Sequence, residues 1–278
     1  MTRKKRLYLV GDILGVLFTI LIFIVPFYFM FVQSIKTQQE ANLLLISWPK
    51  DGVHLFENYG QVLKQSNGQL ITAFKNSTIL TVGTVAGLLV FSLMAAYVIQ
   101  RRSDRLMKTI TTIIMLGLMI PASILPTISM MQSMHIYKTM FGMIMIEIAL
   151  QTPFTIMLFR GYMASIPTDL EEAARIDGCG KFQIYLRIIS PLLKPIRATV
   201  IILTAVSTFN DFTNPLYFLP GAKNTTVQLT LYNYKGQFSS EYNLLFADII
   251  LITIPMLILF LIFNKKIVAG MVAGAVKG

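Results

Sequence analysis

The amino-acid sequence predicts an all-α integral membrane protein with six transmembrane helices. Hydrophobic residues make up 55% of the 278 residues and charged residues only 13%, against about 25% charged in an average soluble domain. Six stretches are apolar and long enough to cross a hydrocarbon core about 30 Å thick, which takes about 20 helical residues. The basic residues are also distributed unevenly among the loops between these stretches. These three observations define the fold class.

The six apolar stretches differ in their acidic residues. The first three contain no charged residue, whereas the last three each contain one acid, Glu147, Asp211 or Asp248. A secretory signal peptide does not account for the first stretch, because its h-region has only about 7 to 15 apolar residues. We therefore predict spans at residues 13–32, 76–100, 109–134, 139–159, 196–219 and 244–263.

The positions of Lys and Arg predict how the chain is oriented. A net charge of +11 would also suit a nucleic-acid-binding protein. The placement of the charges along the chain distinguishes such a protein from a membrane protein. If the chain starts inside, the amino terminus, residues 100–108, residues 160–197 and the tail hold 17 of the 24 Lys and Arg residues. This excess is the positive-inside pattern of membrane proteins. We therefore expect cytoplasmic termini at residues 1–12 and 265–278, a membrane domain at residues 13–264, and no nucleic-acid partner.

Residues 161–194, between the fourth and fifth spans, predict two short cytoplasmic helices. Thr168 and Glu171 have the spacing of a capping box, and Gly178 is placed to end the first helix in a left-handed conformation. A second helix follows from Lys181, before Pro191 and Pro195 interrupt it. Helical spacing places four apolar residues on one face of this second helix: Phe182, Tyr185, Leu186 and Ile189.

The first of these helices combines small residues with charges, a pattern that suits docking to another protein. Two adjacent alanines permit close approach, and the surrounding charged side chains offer polar contacts. An ordinary loop with a solvated charged face is the alternative. The predicted docking residues are Glu171, Glu172, Ala173, Ala174, Arg175, Asp177 and Gly178.

The three acids within spans are candidate functional residues. A charge at mid-bilayer costs about 2.5 to 3.5 kcal/mol, so each acid should face protein or a water-filled cavity. Asp211 lies where a break at Pro215 can expose backbone groups; a helix-end cap or a contact with a partner is the alternative. Glu147 and Gln151 share one helix face and either line a path or bond another helix. Asp248 is typical of an interface residue. The candidate path residues are Asn210, Asp211, Phe212, Asn214, Glu147 and Gln151.

The remaining motifs predict packing and no chemistry. Cys179 is the single cysteine, and the histidines have no neighbour at metal-ligand or catalytic spacing, so we expect neither a metal nor a catalytic centre. Small residues four apart permit close helix packing, and proline kinks helices. The small pairs are Gly11 with Gly15 and Gly83 with Gly87; the prolines are Pro121, Pro126, Pro153 and Pro255.

Three motifs resemble a known transporter family. The loop pattern is similar to the EAA loop of binding-protein-dependent ABC importers, except that Ser190-Pro191 replaces the usual Leu-Pro. The matching loop residues are Glu172, Ala173, Ala174, Gly178, Ile188 and Pro191. The chain also resembles the MalG branch of carbohydrate permeases in three places: Asn210-Asp211-Phe212, Pro215-Leu216 and the ending from Gly270 to Gly278.

This resemblance implies a MetI-like permease subunit in the bacterial cytoplasmic membrane. The family pairs such a subunit with a second homologous permease, two cytoplasmic ATPases and an external solute-binding protein, and imports a sugar. An oligosaccharide is favoured here. The EAA residues would form a coupling helix on the ATPase, and the tail would reach the ATPase through Gly274, Lys277 and Gly278.

The sequence has no Gly-x-x-x-x-Gly-Lys-Ser/Thr phosphate loop. We therefore expect ATP and Mg²⁺ to be held by the partner ATPases, with no cofactor on this chain and no catalysis by it. The alternatives are a permease for another solute, such as a glycerol phosphate ester, a polytopic membrane enzyme, or a passive channel.

Overall fold

The computed structural model describes residues 3–236 and 240–275, with side chains described for residues 11–236 and 240–263. Within these ranges the ordered elements are helices, apart from an isolated antiparallel bridge between Lys235 and Ser240. The predicted all-α class is thus confirmed. The helices are α1 Arg3–Ser34, α2 Gln38–Asn42, α3 Leu55–Arg101, α4 Arg105–Met119, α5 Ile124–Ser133, α6 Met140–Met163, α7 Asp169–Ile176, α8 Lys181–Ile184, α9 Ser190–Leu192, α10 Lys194–Phe209, α11 Thr213–Phe218, α12 Val227–Thr230 and α13 Tyr242–Ala275.

Four helices, α1, α3, α6 and α13, are long and apolar enough to cross a membrane. Two further pairs of helices, each bent at a break, are long and apolar enough only when the two helices of the pair are taken together. Helices α4 and α5 meet at 118°, and the α8–α9 segment meets α10 at 73°. In the described part of the chain there are thus four helices long and apolar enough to cross a membrane, or up to six if each bent pair forms one span.

Proline explains the break between α4 and α5. The residue before a proline is pushed toward extended backbone, and Ile120, which precedes Pro121, has φ −85° and ψ 120°. Helix α4 therefore ends before the apolar stretch does. Pro126, in contrast, lies in the first turn of α5, where a proline is tolerated, and does not kink it.

Helix α3 is much longer than the predicted span at residues 76–100. It begins at Leu55 and is interrupted between Gln65 and Gly68, where Ser66 and Asn67 adopt left-handed backbone angles with φ 48° and 58°. The segment between the first two predicted spans is therefore partly helical, which the polar sequence of this region concealed.

The chain forms two compact units. The first comprises the residues up to Ile71 together with Thr230–Ile254. At its centre the Asn58 amide donates to the carbonyl oxygens of Ser34 and Lys36, both at 2.8 Å, and its oxygen accepts from Asn243 at 3.0 Å. These bonds tie the end of α1 to the start of α3.

The second unit comprises Thr72–Leu229 and the chain from Pro255 onward. A buried apolar cluster packs the end of α3 against α6, α10 and the loop helices between them. A smaller cluster packs α5 and α6 with α11. The larger cluster contains Leu93, Ala96, Ile99, Met107, Ile156, Phe159, Met163, Ile166, Ala174, Ile184, Tyr185, Ile189, Leu193, Ile196 and Val200.

The two predicted small-residue pairs differ in their surroundings. A Cβ added at Gly83 would lie 2.7 Å from Ile144 Cδ1, and one added at Gly87 would lie 2.2 Å from Ile148 Cδ1. Helix α3 therefore packs closely on α6, as predicted. A Cβ at Gly15 meets no atom within 4 Å, so among the described residues the α1 pair packs on no other helix of this chain, and its packing stays a prediction.

This contrast predicts different effects of the same substitution. Gly87→Val should lower the free energy of unfolding by about 1–3 kcal/mol, because it overpacks the α3–α6 contact. Gly15→Val, which enters open space, serves as the matched control. Thermal unfolding of the purified chain in detergent measures both variants. Equal melting temperatures for the two would contradict the close α3–α6 contact.

Candidate functional site

The helical loop, residues 167–192, contains the predicted docking residues. Helix α7 ends in a Schellman motif. The N–H of Gly178 donates to Arg175 O at 3.0 Å, and that of Cys179 to Ala174 O at 2.9 Å. Gly178 has φ +81°, a conformation that costs other L-residues energy. The predicted left-handed end at Gly178 is confirmed.

The predicted capping box does not form. Thr168 adopts helical backbone angles, φ −68° and ψ −25°, and its side chain makes no capping bond to α7. The side chain of Glu171 instead points to α3, where it accepts hydrogen bonds from Tyr97 and Arg101. Glu171 is therefore buried and does not offer its charge to a partner, unlike the exposed Glu172.

The other predicted docking residues divide between two faces of α7. Ala174 is buried and holds the helix against the apolar core. The exposed residues are Glu172, Ala173, Arg175, Asp177 and Gly178, and beside them Ile176 is 87% exposed. This large exposed apolar residue was missed in the sequence, where it reads as part of an amphipathic face.

The four apolar residues predicted to share one face of the second loop helix do not share one environment. Helix α8 continues into a π-helical turn, Tyr185–Ile189, before α9. Ile184 and Ile189, five residues apart, are both buried, as the wider π turn requires. Phe182 and Leu186 are instead exposed, at 65% and 48%. The loop therefore presents apolar side chains on its outer surface.

A polar cluster forms where α6 meets α10 and α11. Glu147 is 3% exposed, and both of its oxygens accept hydrogen bonds. Oε2 accepts from Gln151 Nε2 at 2.8 Å and Oε1 from Asn214 Nδ2 at 3.1 Å. Gln151 Nε2 also donates to Thr208 Oγ1 at 3.0 Å. The predicted pairing of Glu147 with Gln151 is present, and Thr208, which the sequence did not single out, joins it.

The break near Asp211 lies before Pro215. Helix α10 ends at Phe209 and α11 begins at Thr213, so Pro215 lies in the first turn of α11. Asp211 Oδ1 accepts the N–H groups of Thr213 at 2.9 Å and Asn214 at 3.3 Å. Asp211 thus caps α11, which is the alternative reading of this residue, and the predicted break position at Pro215 is wrong.

The remaining candidate path residues lie beside this break. Asn210 is exposed and accepts from Gln228 Nε2 at 3.1 Å, so it bonds a different partner from Glu147. Phe212 is half-buried at the start of α11. Gln151 lines a cavity of about 330 Å³ between α6 and α10. Its other lining residues are Leu150, Phe154, Thr155, Leu158, Val200, Leu203, Thr204 and Ser207.

Asp248 belongs to the first unit and is fully buried. Its Oδ2 accepts from Thr230 Oγ1 at 2.7 Å, which differs from the expected interface position. Burial raises the pKa of the nearby Tyr234 phenol, and the carboxyl groups of Asp248 and Glu241 raise it further. Asp248 therefore makes its hydrogen bond inside its own unit.

Among the residues the structure describes, no group of three His, Cys, Asp or Glu side chains is placed to hold a metal. Gly274 lies in the last turn of α13, whereas Lys277 and Gly278 lie outside the described residues.

One known protein family and several named relatives match most of the chain. The family described as "Binding-protein-dependent transport system inner membrane component" matches residues 87–272. The chain is 31% identical over 266 residues to the probable starch degradation products transport permease AmyC of Thermoanaerobacterium thermosulfurigenes, covering 95% of both chains. It is 37% identical over 226 residues to the multiple sugar-binding transport permease MsmG of Streptococcus mutans, covering 80% of both.

A solved structure has the same fold. A chain from the crystal structure of a bacterial ABC transporter involved in the import of the acidic polysaccharide alginate superposes with a TM-score of 0.82 at 23% identity, covering 95% of this chain and 98% of that one. The MetI-like helical fold is therefore shared. The chain belongs to the family of inner membrane components of binding-protein-dependent transport systems, the ABC importer permeases.

Proposed function

We propose that this chain is one of two permease subunits of an ATP-driven importer for an oligosaccharide. It forms the translocation path with a second, homologous permease. Two cytoplasmic ATPases bind and hydrolyse ATP with Mg²⁺, and an external solute-binding protein delivers the sugar. This chain itself holds no ATP and performs no chemistry on the sugar.

The geometry of the helical loop supports this function most strongly. A short helix ends in a Schellman motif at Gly178, its inner face packs on the core through Ala174, and its outer face presents Glu172, Arg175 and the exposed Ile176. Such a small, rigid, mixed apolar and charged surface suits a groove in a partner ATPase. The coupling contact is therefore made by Glu172, Ala173, Arg175, Asp177 and Gly178, with the tail at Gly274, Lys277 and Gly278 as a second contact.

Six crossings place this loop and both termini in the cytoplasm. In this arrangement α4 with α5 forms the third span as a bent pair, and α10, which meets the α8–α9 segment of the helical loop at 73°, begins the fifth. The positive-inside distribution of Lys and Arg supports the same orientation. The helical loop then lies on the side where ATP is available.

The names of the relatives support a sugar as the substrate. Besides starch degradation products and multiple sugars, a 32% identical relative in Bacillus subtilis is named as a melibiose, raffinose and stachyose import permease. The cavity beside Gln151 has a mainly apolar wall that includes Thr155, Thr204 and Ser207, and we propose that it belongs to the path of the sugar. Asn210, Asp211, Phe212, Asn214 and Glu147 then shape the adjacent part of the path.

The external binding protein would contact the opposite side of the membrane. An open cavity of about 630 Å³ lies beside the first part of α3, lined by Glu57, Lys64, Asn67 and Glu241 among others. Phe56 in its rim is 88% exposed. Exposed aromatic residues beside charged groups are typical of protein interfaces.

Purification of the tagged chain from its native membrane, followed by reconstitution in proteoliposomes, tests this proposal. We expect a second permease and an ATPase to co-purify in stoichiometric amounts, and ATP inside the vesicles to drive uptake of a di- or oligosaccharide when the binding protein is added. A panel of such sugars and a glycerol phosphate diester identifies the substrate.

Three results would overturn the proposal. Uptake of the glycerol phosphate diester with no sugar transported would assign the chain to another solute. Flux that needs neither ATP nor the ATPase would indicate a channel. Chemical conversion of an added lipid or peptide by the purified chain alone would indicate an enzyme.

A further inference from the structure

The carboxylate of Glu171 joins the end of α3 to the start of α7. Tyr97 donates its hydroxyl to Glu171 Oε2 at 2.9 Å, and Arg101 donates Nε–H to Oε1 at 2.6 Å. Tyr97 and Arg101 lie one turn apart at the end of α3, so both face the same neighbour. We refer to Tyr97, Arg101 and Glu171 as the Glu171 cluster.

Within the Glu171 cluster the glutamate is buried and Tyr97 and Arg101 are half-buried, and the cluster branches to two further segments. The side chains of Glu171 and Arg101 are only 4% and 15% exposed. Arg101 also donates to the carbonyl oxygen of Ile166, shortly before α7, at 3.1 Å. The Tyr97 ring packs on Tyr185 in the π-helical turn, with ring centroids 5.3 Å apart. One turn of α3 thus contacts both α7 and the π-helical turn of the helical loop.

Burial makes this connection stiff. Hydrogen bonds between charged groups are short and strong, and the low dielectric of the interior strengthens them further. Removing one partner of a buried ion pair leaves the other charge unpaired and strongly disfavoured. The helical loop therefore has little freedom to shift relative to the end of α3 without breaking these bonds.

We propose that the Glu171 cluster passes movement of the helical loop to α3, so that closure of the ATPases reorients this membrane-spanning helix. The inference rests on the proposed importer function. Tyr97, Arg101 and Glu171 are positioning residues, since they contact neither ATP nor sugar in this arrangement. Rigid elements with discrete arrangements are what carries such coupling between distant sites.

The test measures coupling in the assembled transporter. Tyr97→Phe removes one hydroxyl and keeps the ring on Tyr185, and Glu171→Gln removes the charge and keeps the size. We expect both to leave ATP hydrolysis near the wild-type rate per assembled complex. The amount of sugar imported per ATP hydrolysed should fall about tenfold, within the range of about 5- to 150-fold typical of allosteric coupling.

The exposed pair of Arg102 and Asp104, joined at 2.9 Å, gives a matched control. Arg102→Gln removes an ion pair one residue away from Arg101, and we expect its ratio of sugar to ATP to equal that of the wild type. A merely structural Glu171 cluster would lower the yield or melting temperature of the complex and leave this ratio unchanged.

The outcomes separate the two proposals. A wild-type complex that imports no sugar overturns the proposed function. A wild-type complex that imports sugar, with unchanged ratios in the variants, overturns only the role of the Glu171 cluster. If Glu171→Gln does not assemble, Tyr97→Phe decides, because it preserves both the ion pair and the ring contact.

Discussion

Replacing Gly178 with valine is expected to reduce sugar uptake about tenfold or more while the chain still inserts in the membrane. Gly178 has φ +81°, and an added Cβ would meet no atom within 4 Å. The effect therefore comes from backbone strain, about 1–2 kcal/mol for an L-residue in this conformation, which is roughly a tenfold loss of the observed loop arrangement. ATP-driven uptake in proteoliposomes measures it.

Asparagine at the same position provides the matched control. Asn adopts left-handed backbone angles more readily than other non-glycine residues, so Gly178→Asn should retain most of the uptake. The order glycine, asparagine, valine is the signature of a conformational requirement. Equal uptake by the three proteins would remove the helical loop from the coupling route.

Replacing Glu147 with leucine is expected to lower the free energy of unfolding by about 2–4 kcal/mol. The carboxylate is the acceptor for Asn214 Nδ2 and one of two acceptors for Gln151 Nε2. Leaving a buried donor unpaired costs about 1–3 kcal/mol. Thermal unfolding of the purified chain in detergent should show a clear fall in melting temperature.

Glu147→Gln separates the loss of the acceptor oxygen from the loss of the carboxyl group. Glutamine keeps one acceptor oxygen at nearly the same size, so its destabilisation should be well below that of leucine. An unaltered melting temperature for Glu147→Leu would show that the carboxylate does not hold α11 to α6. Sugar uptake by Glu147→Gln at normal stability would then report on the path itself.

The elements that could be predicted from the sequence depend on local chemistry. The lengths of the apolar stretches predict helices long and apolar enough to cross a membrane, and the left-handed end at Gly178 follows from the absence of a Cβ. The contact between Glu147 and Gln151 follows from helical spacing alone. Each of these features is determined within a few residues of the chain.

The features that could not be predicted depend on distant residues. Glu171 has the spacing of a capping box with Thr168, but its partners lie about 70 residues earlier, on α3. A buried ion pair and a tyrosine hydroxyl outcompete a single capping bond. The spacing of Tyr97 and Arg101 at the C-terminal end of an apolar stretch was the available signal.

The bend between α4 and α5 and the π-helical turn after α8 could not be predicted from the sequence either. Prolines mark where α4 ends, but the angle of 118° is set by how α5 packs on α6 and α11. The π-helical turn after α8 is likewise invisible to a periodicity of 3.6 residues. Of the predicted face, Tyr185 and Ile189 are buried together with Ile184, whereas Phe182 and Leu186 are exposed.

The Schellman motif also places the single thiol of the chain, that of Cys179, between the two loop helices. Cys179 follows Gly178 directly, and its half-buried side chain packs on the same core as Ala174. A thiol-specific fluorophore or spin label therefore attaches at one position only, at the joint between the two loop helices. The native sequence thus already contains a reporter for loop movement, with no need to remove other cysteines.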